Sequence, residues 1–186
     1  STTVSADRVL VATGRRPATS GLGLDTAGVD VDERGYASVD ARLRTSNRRV
    51  YAAGDITGAL PFTHVAGMHG SIAATNALLA PTRSIDHEHI PRVTFTDPEI
   101  AHVGLTEQQA RQRHGTDVRV RLLEHAHVDR AVTEDATEGF THVVLDGKGR
   151  VLGATIAAPR AGEMIAELTA LTARSGRLHD LASVAH

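Results

Sequence analysis

Cysteine and tryptophan are absent from this 186-residue chain, and three Phe and two Tyr are all its aromatic residues. Without Cys these residues hold no disulfide scaffold, no thiolate metal site and no thiol nucleophile. The redox compartment stays open on that count, since a Cys-free chain suits either environment. Lys148 is the lone lysine beside 19 Arg, which removes Schiff-base chemistry elsewhere and any P-loop. A formal charge of -2 with so few rings argues against nucleic acid, which wants a basic field and stacking faces. No apolar run approaches the ~18 residues of a membrane span, so neither nucleic acid nor membrane is expected as a partner. What remains, at 41% apolar and 23% charged, is a globular composition with enough apolar residues for a core in one or two domains.

Val9-Leu10-Val11-Ala12 and Val50-Tyr51-Ala52-Ala53 read as short strands buried on both faces, each stopped by a Gly turn, at Gly14 and at Gly54-Asp55. Between them Asp32-Glu33-Arg34-Gly35, flanked by Val29-Asp30-Val31 and Tyr36-Ala37-Ser38-Val39, signals a hairpin. Val65, Met68, Ile72 and Leu79 predict one apolar face of a helix over about 64–80. Its other faces carry Gly67, Gly70, Ser71, Ala73 and Ala74, small enough for a sheet, a second helix or a ligand to lie close. The polar stretch Pro81 to Pro91 marks a boundary, giving domains 1–85 and 86–186.

Beyond it the pattern turns α+β. Arg92 to Thr96 reads as a strand, Thr106-Glu107-Gln108-Gln109 as a capping box opening a helix that ends at His114-Gly115, and Val118 to Leu122 as a half-buried strand. Phe140 to Leu145 and Val151 to Ala158 around Asp146-Gly147-Lys148-Gly149 form the strongest hairpin. A helix from about Glu163 turns Met164, Ile165, Leu168 and Leu171 inward. The order predicts one antiparallel sheet covered by helices. Leu178 to His186 keep helical spacing with no cap, and the chain opens without Met on a buried-strand pattern; both features raise the expectation of a portion of a longer protein.

Few residues offer chemistry. A buried strand ending in Gly54-Asp55 carries a carboxylate to the carboxyl edge of a sheet, where open α/β folds bind ligands. Asp55 there either caps a turn or accepts hydrogen bonds from vicinal hydroxyls. Eight residues on, the free amides near Thr63, His64 and Val65 begin a helix, whose positive end suits an anion. One loop could place both groups on one ligand. His87-x-His89 and His125-x-His127 invite a metal reading, but no further ligand stands at suitable spacing, so no metal site is assigned. There is no Gly-x-Ser-x-Gly elbow, and Gly21-x-Gly23 lacks the third Gly of a dinucleotide fingerprint.

The ordered set of motifs is more specific than any member. Val9-Leu10-Val11-Ala12-Thr13-Gly14-Arg15-Arg16-Pro17, Leu43-Arg44-Thr45-Ser46, Val50-Tyr51-Ala52-Ala53-Gly54-Asp55 and Phe62-Thr63-His64-Val65-Ala66 resemble the FAD-dependent pyridine nucleotide-disulfide oxidoreductases. So does the second half, from Val93-Thr94-Phe95-Thr96-Asp97-Pro98-Glu99-Ile100-Ala101-His102-Val103-Gly104 through Asp129-Arg130-Ala131, Gly139-Phe140 and Val151-Leu152-Gly153-Ala154 to Ala161-Gly162-Glu163-Met164-Ile165. Within the family the likeness runs to mercuric reductases and dihydrolipoamide dehydrogenases.

The resemblance implies a carboxy-terminal portion of such a subunit. Its fold would be an α/β remnant of the FAD/NAD(P)-binding domains plus an α+β dimerisation domain. Residues 1–85 would be the end of the NAD(P) domain and the second segment of the FAD-binding domain. Residues 86–186 would be the interface domain, truncated at its carboxy terminus, through which the protein forms a homodimer. FAD and NAD(P)H are the implied cofactors of the cytoplasmic parent enzyme, which would move electrons from NAD(P)H through FAD to a disulfide or related acceptor. Gly54 and Asp55 would serve the flavin, with Asp55 on a ribityl hydroxyl. The amides at Thr63 and His64 would face the pyrimidine end of the isoalloxazine, and Gly14 would lie by the nicotinamide nucleotide. The FAD and NAD(P) fingerprints and the redox Cys pair would precede Ser1. His186 falls two positions before the family's catalytic His and is not assigned as the base, so no catalytic residue is named. By this reading the segment alone is inactive and does not retain FAD. The alternatives are a non-catalytic dimerisation module and a His-rich metal binder.

Overall fold

A computed structural model describes residues 3–184; Ser1, Thr2, Ala185 and His186, and with them the end of the expected terminal helix, lie outside the described residues. The chain divides into two compact units, Ser1–Ile85 and Asp86–His186. Among the described residues no helix is long and apolar enough to cross a membrane.

The first unit is built from turns around one helix. Its small core joins Val29, Ala37 and Ala52, with Leu24, Val39, Val50 and Ile56 packed against them. The expected hairpin is present as a single antiparallel bridge, Val31 to Ala37. Asp32 closes its turn, Oδ1 accepting from the amides of Arg34 and Tyr36 at 2.9 Å each. Asp40 does the same for Arg42 and Arg44 and also takes the Arg44 guanidinium. Burial pushes its carboxyl up, and these donors outweigh that and hold it below the ordinary carboxylate value.

Neither buried strand expected here forms. Val9, Leu10 and Val11 are 85%, 90% and 76% exposed and join no ladder, because no strand among the described residues supplies the hydrogen-bonding neighbours such a run needs. Val50 to Ala53 make only a bridge, Arg44 to Tyr51. Helix α1, Thr63–Leu78, matches its expected span, but its buried face is Val65, His69, Ile72, Ala73 and Asn76. Met68 and Leu79, expected inward, are exposed. The phase is set by polar anchors: Asn76 donates to the carbonyls of Arg42 and Arg83 and accepts from the Arg83 amide. A Cβ added at Gly67 or Gly70 would meet no atom within 4 Å.

The second unit is an antiparallel sheet covered by helices, as the sequence predicts. Strands β1 (Arg92–Thr94), β2 (Glu99–Gly104), β3 (Val118–Glu124), β4 (Phe140–Asp146) and β5 (Val151–Ala158) run in the order β1-β2-β5-β4-β3. Strand β2 was not anticipated. It alternates, with Ala101 and Val103 fully buried and Ile100 and His102 on the other face, but an inward Ala and an outward Ile blur the period. Helix α2 (Glu107–His114) carries both halves of its capping box: Thr106 Oγ1 accepts from the Gln109 amide, and Gln109 Oε1 from the Thr106 amide at 3.0 Å. A short helix α3, Asp129–Thr133, follows β3.

Helix α4, Ala161–Ala173, lays Ala161, Ile165 and Leu168 on Ala101, Val103, Val143, Ala154 and Ile156 of the sheet. Leu171 packs at the margin of this cluster. Met164, expected inward, is 44% exposed; Ile165 and Leu168 set the phase one residue on. Leu178–Ser183 wind as a 3₁₀ helix where an α-helix was expected.

Candidate functional site

The chemistry-bearing residues of the first unit converge on one loop and the start of α1. Gly54 opens a 3₁₀ turn, Gly54–Thr57, with φ 76°, a left-handed conformation for which Gly is the natural choice. A Cβ there would stand 3.1 Å from the Ala66 methyl of α1. The turn is held from both sides: the Gly54 amide donates to His69 Nδ1 at 3.1 Å, and Thr57 Oγ1 donates to the Gly54 carbonyl at 2.8 Å. With the glycine fixed, Asp55 projects a half-exposed carboxylate.

Arg15 joins that carboxylate to the helix entry. Its Nη1 donates to Asp55 Oδ2 at 3.2 Å and to the Pro61 carbonyl at 3.3 Å. Helix α1 then begins at Thr63 behind Phe62, an N-cap residue with no acceptor in its side chain, and no acid stands in the first turn. The first-turn amides, Thr63 and His64 among them, carry the positive end of the helix dipole, and the N-cap residue adds no acceptor of its own. The His64 ring stacks on Phe62, centroids 5.5 Å apart and planes 20° from parallel.

Four of the expected residues, Gly54, Asp55, Thr63 and His64, thus share one loop and helix start. Gly14, at φ 126° with open space where a Cβ would be, is brought to them through its neighbour Arg15. The arrangement offers an acceptor for hydroxyls, donors for a negatively polarised edge, and a backbone approach free of side chains at Gly14. Two contributors escaped the sequence reading. Arg15 sits in Arg15-Arg16-Pro17, which reads only as a turn, and His69 lies on a helix face whose apolar spacing points to Met68.

Elsewhere, among the described residues, no buried side-chain nitrogen or oxygen lacks a hydrogen-bond partner. In the second unit a cavity of about 490 Å³ between α3 and α4 has Glu134 paired with both Arg130 and Arg160, and His125 bonded to Thr141 at 3.0 Å. His89 pairs with Asp86 at 2.9 Å. His102, whose pKa burial pushes below the ordinary imidazole value, bonds Thr155 and the Gly104 carbonyl. No cluster of three or more His, Asp or Glu that could hold a metal occurs among the described residues.

Two family models match: the dimerisation domain of the pyridine nucleotide-disulphide oxidoreductases over residues 90–186, and the pyridine nucleotide-disulphide oxidoreductase model over residues 1–70. A mercuric reductase from Streptomyces lividans is 44% identical over 172 residues, 91% of this chain and 36% of the relative. A dihydrolipoyl dehydrogenase from Thermus scotoductus is 42% identical over 181 residues, 97% of this chain and 39% of the relative. The Cu(II) complex of the HOCl-induced flavoprotein disulfide reductase RclA from Escherichia coli superposes with a TM-score of 0.85 at 34% identity, covering 94% of this chain and 40% of that one. The chain spans roughly two fifths of the length of these proteins. On this evidence the chain belongs to the pyridine nucleotide-disulphide oxidoreductase family.

Proposed function

We propose that these residues serve a flavoenzyme that takes electrons from NAD(P)H and passes them through FAD to a disulfide or related acceptor. Residues 1–85 supply the end of the NAD(P) domain and the second segment of the FAD domain, and residues 86–186 mediate pairing with a second copy. The observation that carries the reading is the joining of the Asp55 carboxylate and the uncapped start of α1 through Arg15, within a chain of this family.

The donor set fits a flavin. Asp55 would accept from a ribityl hydroxyl. The amides at Thr63 and His64 would serve the pyrimidine edge, where a helix amino end stabilises negative charge without reorganisation. Gly54 would let the backbone come close, and Gly14 would serve the nicotinamide nucleotide. When bound, the flavin supplies hydride acceptance and two-electron transfer; the chain's own residues bind it, orient it and hold its charge. With no Cys in these residues, thiol chemistry is assigned to residues outside them.

The test is Asp55→Ala in the full-length protein, followed by flavin content after gel filtration. Loss of flavin is expected, and wild-type flavin content would overturn the ribityl role. The second reading, a dimerisation module in its own right, draws on the self-contained sheet core of residues 86–186. A colourless but dimeric 186-residue chain in light scattering is the result both readings expect, whereas flavin absorbance in the purified chain would count against a bare module.

A further inference from the structure

We infer that His69 is the positioning residue of the flavin site, its Nδ1 fixing the Gly54 amide and so the turn that presents Asp55. The inference rests on the flavin role proposed for Asp55.

His69 is 0% exposed on the buried face of α1. An imidazole buried in a helix face is costly unless its ring nitrogens are bonded, and an aliphatic side chain would pack there without that cost. The bond observed is not local. Nδ1 lies 3.1 Å from the amide of Gly54, fifteen residues earlier. An amide can only donate, so Nδ1 carries no proton and acts as the acceptor.

Three constraints then meet on Gly54. Its amide is held by His69, its carbonyl by Thr57, and a Cβ added to it would stand 3.1 Å from the Ala66 methyl, one turn before His69 on the same helix. Gly is the residue with most backbone freedom, and here that freedom is taken away. Asp55 is the next residue, so the fixed peptide sets where its carboxylate starts. The same helix also supplies the amides at Thr63 and His64, with His69 about 9 Å farther along the axis at 1.5 Å per residue. One rigid rod thereby sets both the donors at its end and, through His69, the acceptor beside them. Mutual placement of this kind is what a bound group needs from its supporting residues.

The test compares His69→Phe with His69→Asn in the full-length protein, with Asp55→Ala alongside, measuring flavin affinity on the apoprotein and the melting temperature. Phe keeps the ring volume and loses the acceptor. Asn loses volume but sets Oδ1 at the same bond distance from the backbone as Nδ1. We expect His69→Phe to weaken flavin binding on the order of tenfold or more, as an amide left without its acceptor would, and His69→Asn to bind more tightly than His69→Phe whatever its melting temperature. A packing role gives the opposite order, since Phe fills the site and Asn leaves a void. Wild-type affinity in His69→Phe, or weaker binding in His69→Asn than in His69→Phe, overturns the inference. If Asp55→Ala loses flavin while His69→Phe keeps it, positioning alone falls; if Asp55→Ala also keeps flavin, the reading beneath it falls. Should His69→Phe fail to fold, His69→Leu against His69→Asn makes the same comparison.

Discussion

Replacing Gly104 by alanine tests the tightest approach in the sheet, and Gly149 provides an internal control. Both glycines have left-handed backbones, φ 73° and 80°, so each substitution costs about 1–2 kcal/mol of conformational strain. Their surroundings differ. A Cβ at Gly149 meets nothing within 4 Å, whereas one at Gly104 would stand 2.3 Å from the Leu152 carbonyl and 2.8 Å from Gly153 Cα. Those are backbone atoms of β5, where Gly153 faces Gly104 in register, and no rotamer change can clear them. The strands must part by about 1 Å to restore an ordinary contact. That strains the bonds from the Leu105 amide to the Leu152 carbonyl, 2.9 Å, and from the Gly104 amide to the Glu88 carbonyl, 3.1 Å, each worth about 1 kcal/mol. The total for Gly104→Ala is roughly 3–4 kcal/mol against about 1–2 for Gly149→Ala. For a unit of this size the gap of about 2 kcal/mol corresponds to roughly 8–16 °C in melting temperature, read by far-UV circular dichroism on the whole chain. Equal losses from the two substitutions would refute the close approach of β2 to β5.

What could be read from sequence depended on whether the determinant was local. The capping box at Thr106 and the hairpin at Asp146-Gly147-Lys148-Gly149 are specified within a few residues, and both form as expected. Helix α4 was legible as a helix, with Ile165 and Leu168 inward as expected, but the edge of its buried face was not. Met164 and Ile165 are both apolar neighbours, and only the sheet beneath chooses Ile165. The run Val9 to Val11 has a buried-strand composition, yet a strand exists only through its neighbours, and none is present among the described residues. At the site, Gly54, Asp55 and the start of α1 were legible because a Gly-Asp stop and a helix entry are local signals. Arg15 and His69 were not, since each acts across a long separation, 40 residues to Asp55 and 15 to Gly54. Polar residues on a buried helix face, His69 and Asn76, have no periodic signature, because apolar spacing counts them as outward.

Asp146 should make the second unit acid-sensitive. Burial pushes its carboxyl up, but the Arg150 amide and guanidinium and the Lys148 amide together hold it below the ordinary value of 3.8. Its contribution is therefore complete above that value and lost as pH falls beneath it. Asp146→Asn should flatten that acid limb in melting curves taken across the range, and an unchanged limb would contradict the assignment. Thr106→Ala removes one half of the capping box and should cost about 1 kcal/mol while Gln108→Ala costs almost nothing; equal effects in thermal melts would count against the cap. The neighbours Met164 and Ile165 separate surface from core on α4. Ile165, 2% exposed against the sheet, becomes in Ile165→Asp a buried carboxylate with no partner, a penalty of several kcal/mol that should abolish the cooperative transition of this unit. Met164→Asp places the same charge one residue earlier, on a side 44% exposed, where water solvates it and melting should stay within about 1 kcal/mol of wild type. Light scattering on Met164→Asp then reports association without the complication of unfolding. Equal destabilisation by the two substitutions would mean that α4 is rotated from the phase described, so that Met164 is buried as deeply as Ile165.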